Sequence, residues 1–201
     1  FDQSPIPNFI ENKVLNLIKK EIKKIDLIIL SDFSYGVVTK KLVDTINKFK
    51  IKNKDLIIVG DSQSSSQIGD ITKFSNIDLI TPTEYEIRLG LKDFSSGLVE
   101  LGLQAIAKNI SKNIIITLNK EGILIQEGKE KFSTDKIASL SNVVRDPAGA
   151  GDCFLCASSM SFALNKNLWI SSYIGSLAAA IQIQKVGNIP IKKNEILSSL
   201  K

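Results

Sequence analysis

Asp146-Pro147-Ala148-Gly149-Ala150-Gly151-Asp152 stands directly before a long apolar stretch, residues 153–164, and decides how the chain is interpreted. Two glycines separated by one alanine let the backbone turn sharply and bring its N–H groups close to a ligand. At the start of a helix, N–H groups without intrahelical partners and the helix dipole favour an anion. Asp152 falls in the first turn, where a carboxylate is favoured. The segment therefore predicts a phosphate-binding turn with an acid beside it, which suits phosphoryl transfer to a hydroxyl.

The glycines also have a purely structural interpretation, because a Gly-x-Gly between a strand and a helix is often only a tight turn. A dinucleotide fingerprint needs a third glycine, and Phe154 stands in its place. No Gly-Lys-Ser/Thr follows, so the segment is not a Walker loop. An oxidoreductase using a dinucleotide is further disfavoured because the motif lies late in the chain instead of after the first strand.

Short apolar runs typical of buried strands alternate with segments whose apolar residues recur at helical spacing. The alternation predicts an α/β fold with a mostly parallel sheet and helices on both faces. Two further runs around Gly128 predict a hairpin at the edge of the sheet. The predicted strands are residues 26–30, 55–59, 77–80, 113–117, 122–125 and 130–132, and the predicted helices lie around 10–25, 42–49, 98–106, 153–164, 169–185 and 195–200.

Polar side chains follow four of the predicted strands, at the point where each strand ends. Asp32, Asp61, the segment 83–86 and the segment 117–119 hold these positions. In parallel α/β sheets, ligands bind at the carboxyl ends of the strands. Although such residues could belong to ordinary loops, their gathering beside the glycine segment favours a binding site.

The heptapeptide resembles the D-x-x-G-A-G-D signature of the PfkB/ribokinase-like carbohydrate kinases. Residues 31–36, Ser-Asp-Phe-Ser-Tyr-Gly, resemble the S-D-Y-x-x-G segment of this family. Residues 81–86 resemble its P-N-x-x-E stretch, with Thr83 in place of the asparagine. Residues 117–122 resemble its T-L-G-x-x-G nucleotide loop, with Asn119 in place of the first glycine. If φ is positive at this position, the replacement is tolerable, because asparagine adopts a positive φ more readily than most residues.

The resemblance implies an ATP-dependent kinase that phosphorylates a hydroxyl of a sugar or sugar phosphate. Asp152 would be the general base, and the amides of Gly149, Ala150 and Gly151 would stabilise charge on the transferred phosphoryl group. The spacing of residues 61–63 and of the Ser-Asp-Phe segment looks most like the heptose-phosphate kinase branch of the family.

The resemblance also implies the ligands of the cofactors. Mg²⁺ would be held through Glu86, with Asp61 contributing through water, and Asp146 would lie beside a monovalent cation such as K⁺, with backbone near Gly187 contributing. The expected nucleotide-binding residues are Thr117, Asn119, Gly122 and Asp61.

The family resemblance predicts a ribokinase-like three-layer α/β/α fold. Nothing in the chain matches the N-terminal glycine-rich sugar site or the small β lid of the family, so residues 1–201 are expected to be the catalytic, nucleotide-binding part of one kinase domain. A fused or partner nucleotidyltransferase is common in the heptose branch, and a homodimer stays open. The alternative is a non-catalytic nucleotide- or sugar-binding module derived from such a kinase, which the replacements at Thr83 and Asn119 keep open.

Charge, hydropathy and cysteine content argue against a nucleic-acid-binding protein, a membrane-spanning protein and a zinc site. The 201 residues carry a net charge of +5, but most of it comes from lysines on predicted helices, such as Lys19, Lys20, Lys23 and Lys24, without interleaved aromatics, which disfavours nucleic-acid binding. No uncharged apolar run is long enough to predict a membrane span. Cys153 and Cys156 form a C-x-x-C, yet the chain has no histidine and no other cysteine to complete a zinc site. A redox role stays open, and free thiols fit the cytoplasm.

Overall fold

A computed structural model of the chain describes residues 4–64, 68–128, 133–187 and 189–200. These residues form six strands and seven α-helices, with short 3-10 turns at Ile22–Lys24, Ile71–Lys73 and Asn119–Glu121. The strands are β1 (Leu27–Asp32), β2 (Ile57–Ser62), β3 (Ile77–Ile80), β4 (Ser111–Thr117), β5 (Ile123–Glu127) and β6 (Ser133–Ile137). The helices are α1 (Asn8–Glu21), α2 (Lys40–Lys52), α3 (Glu84–Leu91), α4 (Leu98–Ala107), α5 (Ala150–Asn165), α6 (Leu168–Gln182) and α7 (Lys193–Ser199).

The strands form a single sheet in the order β1-β2-β3-β4-β5-β6. The first four strands pair in parallel, while β5 pairs antiparallel with both β4 and β6. The carboxyl ends of β1 to β4 therefore lie along one edge of the sheet, and the loops that follow them share that edge.

Each face of the sheet has its own apolar core, because successive side chains of a strand point to opposite faces. Ile58 packs in the core that includes residues of α1 to α4, whereas its neighbours Ile57 and Val59 pack in the core that includes Phe154 and Leu168 of α5 and α6. The strand segment Ile57–Ser62 is buried throughout, as expected for a strand covered on both sides. The chain thus has the three-layer α/β/α arrangement predicted from the sequence.

Most predicted elements are present with shifted ends. The first helix ends at Glu21 and continues as a 3-10 turn, and the last strand of the hairpin runs through Ser133–Ile137. The prediction of a strand at 130–132 lies outside the described residues. Helix α3 had no counterpart among the predicted helices, since residues 81–86 were interpreted only as a strand end and motif. Among the described helices, none is long and apolar enough to cross a membrane.

Candidate active site

The glycine segment turns into α5 at Gly149, whose φ of 76° places it in the left-handed region. Ala150 begins the helix, and Asp152 lies in its first turn, as the sequence predicted. Gly151 is helical with no positive φ, and a Cβ added to it would meet nothing within 4 Å. The two glycines therefore act differently: Gly149 makes the turn, and Gly151 leaves open space in front of the helix.

The backbone amides at this turn can still receive an anion. The N–H of Ala150 donates to the carbonyl of Pro147 over 3.2 Å, so this amide is already engaged. The N–H groups of Gly149 and Gly151 donate to no acceptor among the residues described. Of the three amides expected to bind phosphate, these two retain a free donor at the positive end of the helix dipole.

A cleft of about 950 Å³ opens in front of this helix terminus. Asn119 and Gly122, in the loop between β4 and β5, line it, and both have positive φ values of 53° and 92°. Asn119 thus has the positive φ at which asparagine can replace the family's glycine. The structure brings together in this cleft most of the residues expected at the nucleotide and phosphate: Thr117, Asn119, Gly122, Ala150 and Gly151.

The remaining walls of the cleft were not found from the sequence. The segment between β6 and α5 contributes polar and apolar residues, and α5 and α6 contribute a mostly apolar floor. A volume of about 950 Å³ lies within the roughly 300–1,000 Å³ typical of small-molecule sites. Apolar walls beside free helix-terminal amides suit a small molecule that has both an apolar part and an anionic group. The additional lining residues include Ser139, Leu140, Asn142, Val144, Phe154, Ser176, Ala179 and Ile183.

A cluster of carboxyl groups lies at the ends of β1 and β2. Asp61 is buried at 7% exposure, and its Oδ1 has no hydrogen-bond partner among the described residues. Burial, followed by the charges of Glu86, Asp152 and Asp32, raises the pKa of Asp61 to about 8. The structure therefore places Asp61 with the acids beside the helix terminus, and it is not a lining residue of the cleft.

Glu86 is held in place by backbone amides. Its two carboxylate oxygens accept N–H groups of Ser64 and Thr83, each over 2.8 Å. The hydroxyl of Thr83 accepts the N–H of Glu86 in return, which completes a capping box at the start of α3. In the described part of the chain, no group of three or more His, Cys, Asp or Glu side chains is arranged to hold a metal ion directly. The remaining lone pairs of Glu86 and Asp61 fit a hydrated Mg²⁺, which usually retains several waters.

Asp32 anchors the first of these strand ends. Its carboxylate accepts the N–H of Ser34 and the hydroxyl of Ser62, each over 3.0 Å, and forms an ion pair with Lys73. No local pattern pointed to Lys73, because it lies 41 residues from its partner and on a separate 3-10 turn.

Asp146 has a different environment from Glu86. Its Oδ1 accepts the N–H of Ala148 and its Oδ2 that of Gly187, each over 2.9 Å. These two hydrogen bonds lower the pKa of Asp146 and so favour its ionised form. The contact with Gly187 joins the glycine turn to the loop after α6. Asp146 does not belong to the set of acids that raise the pKa of Asp61, so the two predicted metal residues lie in different surroundings.

Asp152 makes one direct side-chain contact across the site. Its Oδ1 accepts a hydrogen bond of 2.8 Å from Nε2 of Gln63, which follows β2. The two residues are 89 positions apart, and the sequence had singled out Gln63 only as part of the segment 61–63.

A family model described as pfkB family carbohydrate kinase matches residues 6–194. The chain belongs to this family. Relatives of the pfkB-family chain include the bifunctional protein HldE of Sulfurimonas denitrificans, 28% identical over 188 residues, which cover 91% of this chain and 37% of the relative. The HldE of Nitratiruptor sp. is also 28% identical, over 97% of this chain and 40% of the relative. The chain thus spans about two fifths of the length of these relatives.

Solved structures support the ribokinase-like fold of this pfkB-family chain. Phosphofructokinase-2 from Escherichia coli, in complex with potassium, matches with a TM-score of 0.73 at 15% identity, over 92% of this chain and 60% of that one. Ribokinase from Arabidopsis thaliana, complexed with ribose and ATP, matches with a TM-score of 0.69 at 17% identity, over 98% of this chain and 60% of that one. At these identities the likeness shows the fold alone. The family and the fold class predicted from the sequence are both confirmed.

Proposed function

We propose that this chain forms the phosphoryl-transfer part of an ATP-dependent kinase acting on a hydroxyl of a sugar or sugar phosphate. The observation that carries the proposal is the start of α5, where Gly151 lines the 950 Å³ cleft, the N–H groups of Gly149 and Gly151 lack acceptors among the described residues, and Asp152 lies in the first turn. Phosphoryl transfer needs backbone amides that bind phosphate, a cleft large enough for a nucleotide, and a carboxylate. The heptose-phosphate branch suggested by residues 61–63, together with the HldE relatives, makes a heptose phosphate the first acceptor to test.

Each part of the site would have a separate task. Asp152 would accept the proton of the attacking hydroxyl, and the amides of Gly149 and Gly151 would stabilise the charge that develops on the phosphoryl oxygens. Glu86 would hold Mg²⁺ through water, with Asp61 beside it, and the metal would neutralise phosphate charge when bound.

The nucleotide would lie in the cleft, against Thr117, Asn119 and Gly122. Asp146 would keep the glycine turn tied to Gly187 and would lie beside a K⁺ ion, a role that its lowered pKa supports because it favours the charged form.

Replacement of Asp152 by Asn tests this proposal in the complete protein. Asp152→Asn should lower the rate of sugar phosphorylation by roughly 10²–10⁴-fold, the usual contribution of a general base, while ATP affinity changes little. Asp135→Asn, at an exposed position on β6, is the matched control. Transfer from ATP would be measured over a panel of sugars and sugar phosphates that includes heptose phosphates. Undiminished transfer in Asp152→Asn would refute the assigned base.

The second candidate is a non-catalytic module that binds nucleotide or sugar. Thr83 and Asn119 keep it open, because each replaces a residue of the family's motifs. ATP binding by the complete protein, without transfer to any acceptor in the panel, would favour this candidate.

The cellular context is also a proposal. The free thiols of Cys153 and Cys156 support a cytoplasmic location. The word bifunctional in the names of the HldE relatives, and their greater length, support a fused or partner nucleotidyltransferase. The complete reading frame would test the fusion, and sedimentation of the complete protein would test a homodimer.

A further inference from the structure

We propose that Gln63 is a positioning residue for Asp152, an inference that rests on the kinase function proposed above. Nε2 of Gln63 donates to Oδ1 of Asp152 over 2.8 Å, and no other described side chain donates to that carboxylate. One carboxylate oxygen is thereby fixed, and Oδ2 is left to receive the proton of an incoming hydroxyl. An ionised carboxylate can only accept hydrogen bonds, so the contact also fixes the orientation of the amide of Gln63.

The backbone of Gln63 is itself anchored, which lets its side chain act as a rigid support. Its N–H donates to the carbonyl of Asp32 over 2.9 Å, and its carbonyl accepts the hydroxyl of Ser34 over 3.4 Å. Asp32 is in turn fixed by its ion pair with Lys73. The ends of β1 and β2 therefore form one hydrogen-bonded unit that reaches across to the first turn of α5.

A glutamine suits this position better than a charged donor. Asp152 lies among carboxyl groups, since its charge and that of Glu86 both act on Asp61. A lysine in place of Gln63 would pair with Asp152 and disfavour its protonation, which a general base requires during the reaction. The neutral amide orients the carboxylate without taking part in proton exchange. A base misplaced by about 1 Å can slow a reaction on the order of 10²-fold.

Two near-isosteric substitutions test the role in the complete protein, with transfer from ATP to its best sugar acceptor as the assay. Gln63→Met removes the donor and should lower kcat about 10- to 100-fold with KM for ATP within about twofold, since only the reacting carboxylate is disturbed. Gln63→Glu places a second carboxylate against Asp152, so the two should share a proton and the acidic limb of the pH–rate profile should move to higher pH. Gln104→Met is the matched control, because Gln104 donates to Asp93 over the same 2.8 Å away from the cleft.

A double-mutant cycle separates this inference from the proposed function. If Gln63 acts through Asp152, Gln63→Met should cost almost nothing further in an Asp152→Asn background. Equal losses in both backgrounds, or an unchanged pH–rate profile in Gln63→Glu, would overturn the positioning role. A large loss in Asp152→Asn with wild-type kcat in Gln63→Met would also overturn it and leave the kinase proposal intact. Undiminished transfer in Asp152→Asn would instead refute the proposed base itself.

Discussion

At the scale of single residues, the site depends on backbone conformation as much as on side chains. Gly149 has a positive φ that most residues avoid, whereas Gly151 is helical and faces open space. Both glycines were expected from the sequence to serve one purpose, a sharp turn that brings amides to a phosphate. In the structure, Gly149 makes the turn and Gly151 leaves space beside the helix. Substitution of Gly149 should therefore affect mainly stability, and substitution of Gly151 mainly turnover.

Gly149→Ala should destabilise the fold by about 1–2 kcal/mol, the cost of placing a Cβ in the left-handed region. Gly151→Val should leave the fold nearly as stable, because its side chain enters open space, but the branched chain should crowd the phosphate site and lower turnover. Urea unfolding and the rate of phosphoryl transfer would separate the two effects. Wild-type turnover in a folded Gly151→Val variant would mean that Gly151 is only a helix residue.

The buried carboxyl group of Asp61 should make stability depend on pH. Its folded-state pKa of about 8 lies above the ordinary value of 3.8, so between these values the folded chain holds a proton that the unfolded chain has lost. The free energy of unfolding should then fall as pH rises, by up to about 1.4 kcal/mol per pH unit, and this contribution should level off above about pH 8. Asp61→Asn should remove that slope, measured by urea unfolding between pH 5 and pH 9. The exposed control Asp135→Asn should keep it, and an identical slope in Asp61→Asn would contradict the assignment.

At the scale of elements, α3 shows how one short helix positions a functional carboxylate. Its capping box uses Thr83 and Glu86, so the residue that starts the helix also fixes the acid proposed to hold Mg²⁺. Asparagine is as good an N-cap as threonine, whereas alanine accepts no hydrogen bond from its side chain. The replacement of the family's asparagine by Thr83 is therefore compatible with the same local structure.

Thr83→Ala should lower the free energy of unfolding by about 1 kcal/mol through loss of the cap. Because the freed end of α3 no longer fixes Glu86, the Mg²⁺ concentration needed for half-maximal transfer should also rise. Thr83→Asn should restore both quantities, which would be measured by urea unfolding and by Mg²⁺ titration of the transfer rate. A weakened cap with unchanged Mg²⁺ dependence would argue against a metal role for Glu86.

The elements that the sequence could predict are those with a local signal. The apolar runs ending at Asp32 and Asp61 indicated buried strands, and the glycine segment indicated the start of α5, because period and turn chemistry are local properties. The contact of Gln63 with Asp152 and that of Lys73 with Asp32 join residues 89 and 41 positions apart, so only the folded chain reveals them. The walls of the cleft were missed for the same reason.

At the scale of the whole molecule, the cleft proposed to hold the nucleotide has its walls within residues 1–201. The cleft is bounded by α5, α6 and the loops around β5. By contrast, the segment that follows β1, the outermost strand of the sheet, leaves the side chains of Phe33 and Val37 48% and 51% exposed to solvent. Phosphoryl transfer to a sugar, and not to water, requires walls that hold the acceptor and exclude solvent. Residues 1–201 are thus expected to hold the nucleotide more completely than the acceptor.

The isolated chain of residues 1–201 should therefore bind ATP with Mg²⁺ weakly and phosphorylate sugars poorly, while the complete protein does both efficiently. The physical reason is that the amides of Gly149 and Gly151 and the cleft are present in the chain, whereas Phe33 and Val37, on the segment after β1, are exposed to solvent. Calorimetric titration with ATP and the rate of transfer to the acceptor panel would compare the two proteins, with Asp152→Asn in each as the background for uncatalysed transfer. Efficient sugar phosphorylation by residues 1–201 alone would show that the chain encloses its own acceptor site. Loss of ATP binding in the isolated chain, with binding retained in the complete protein, would instead place part of the nucleotide site outside these residues.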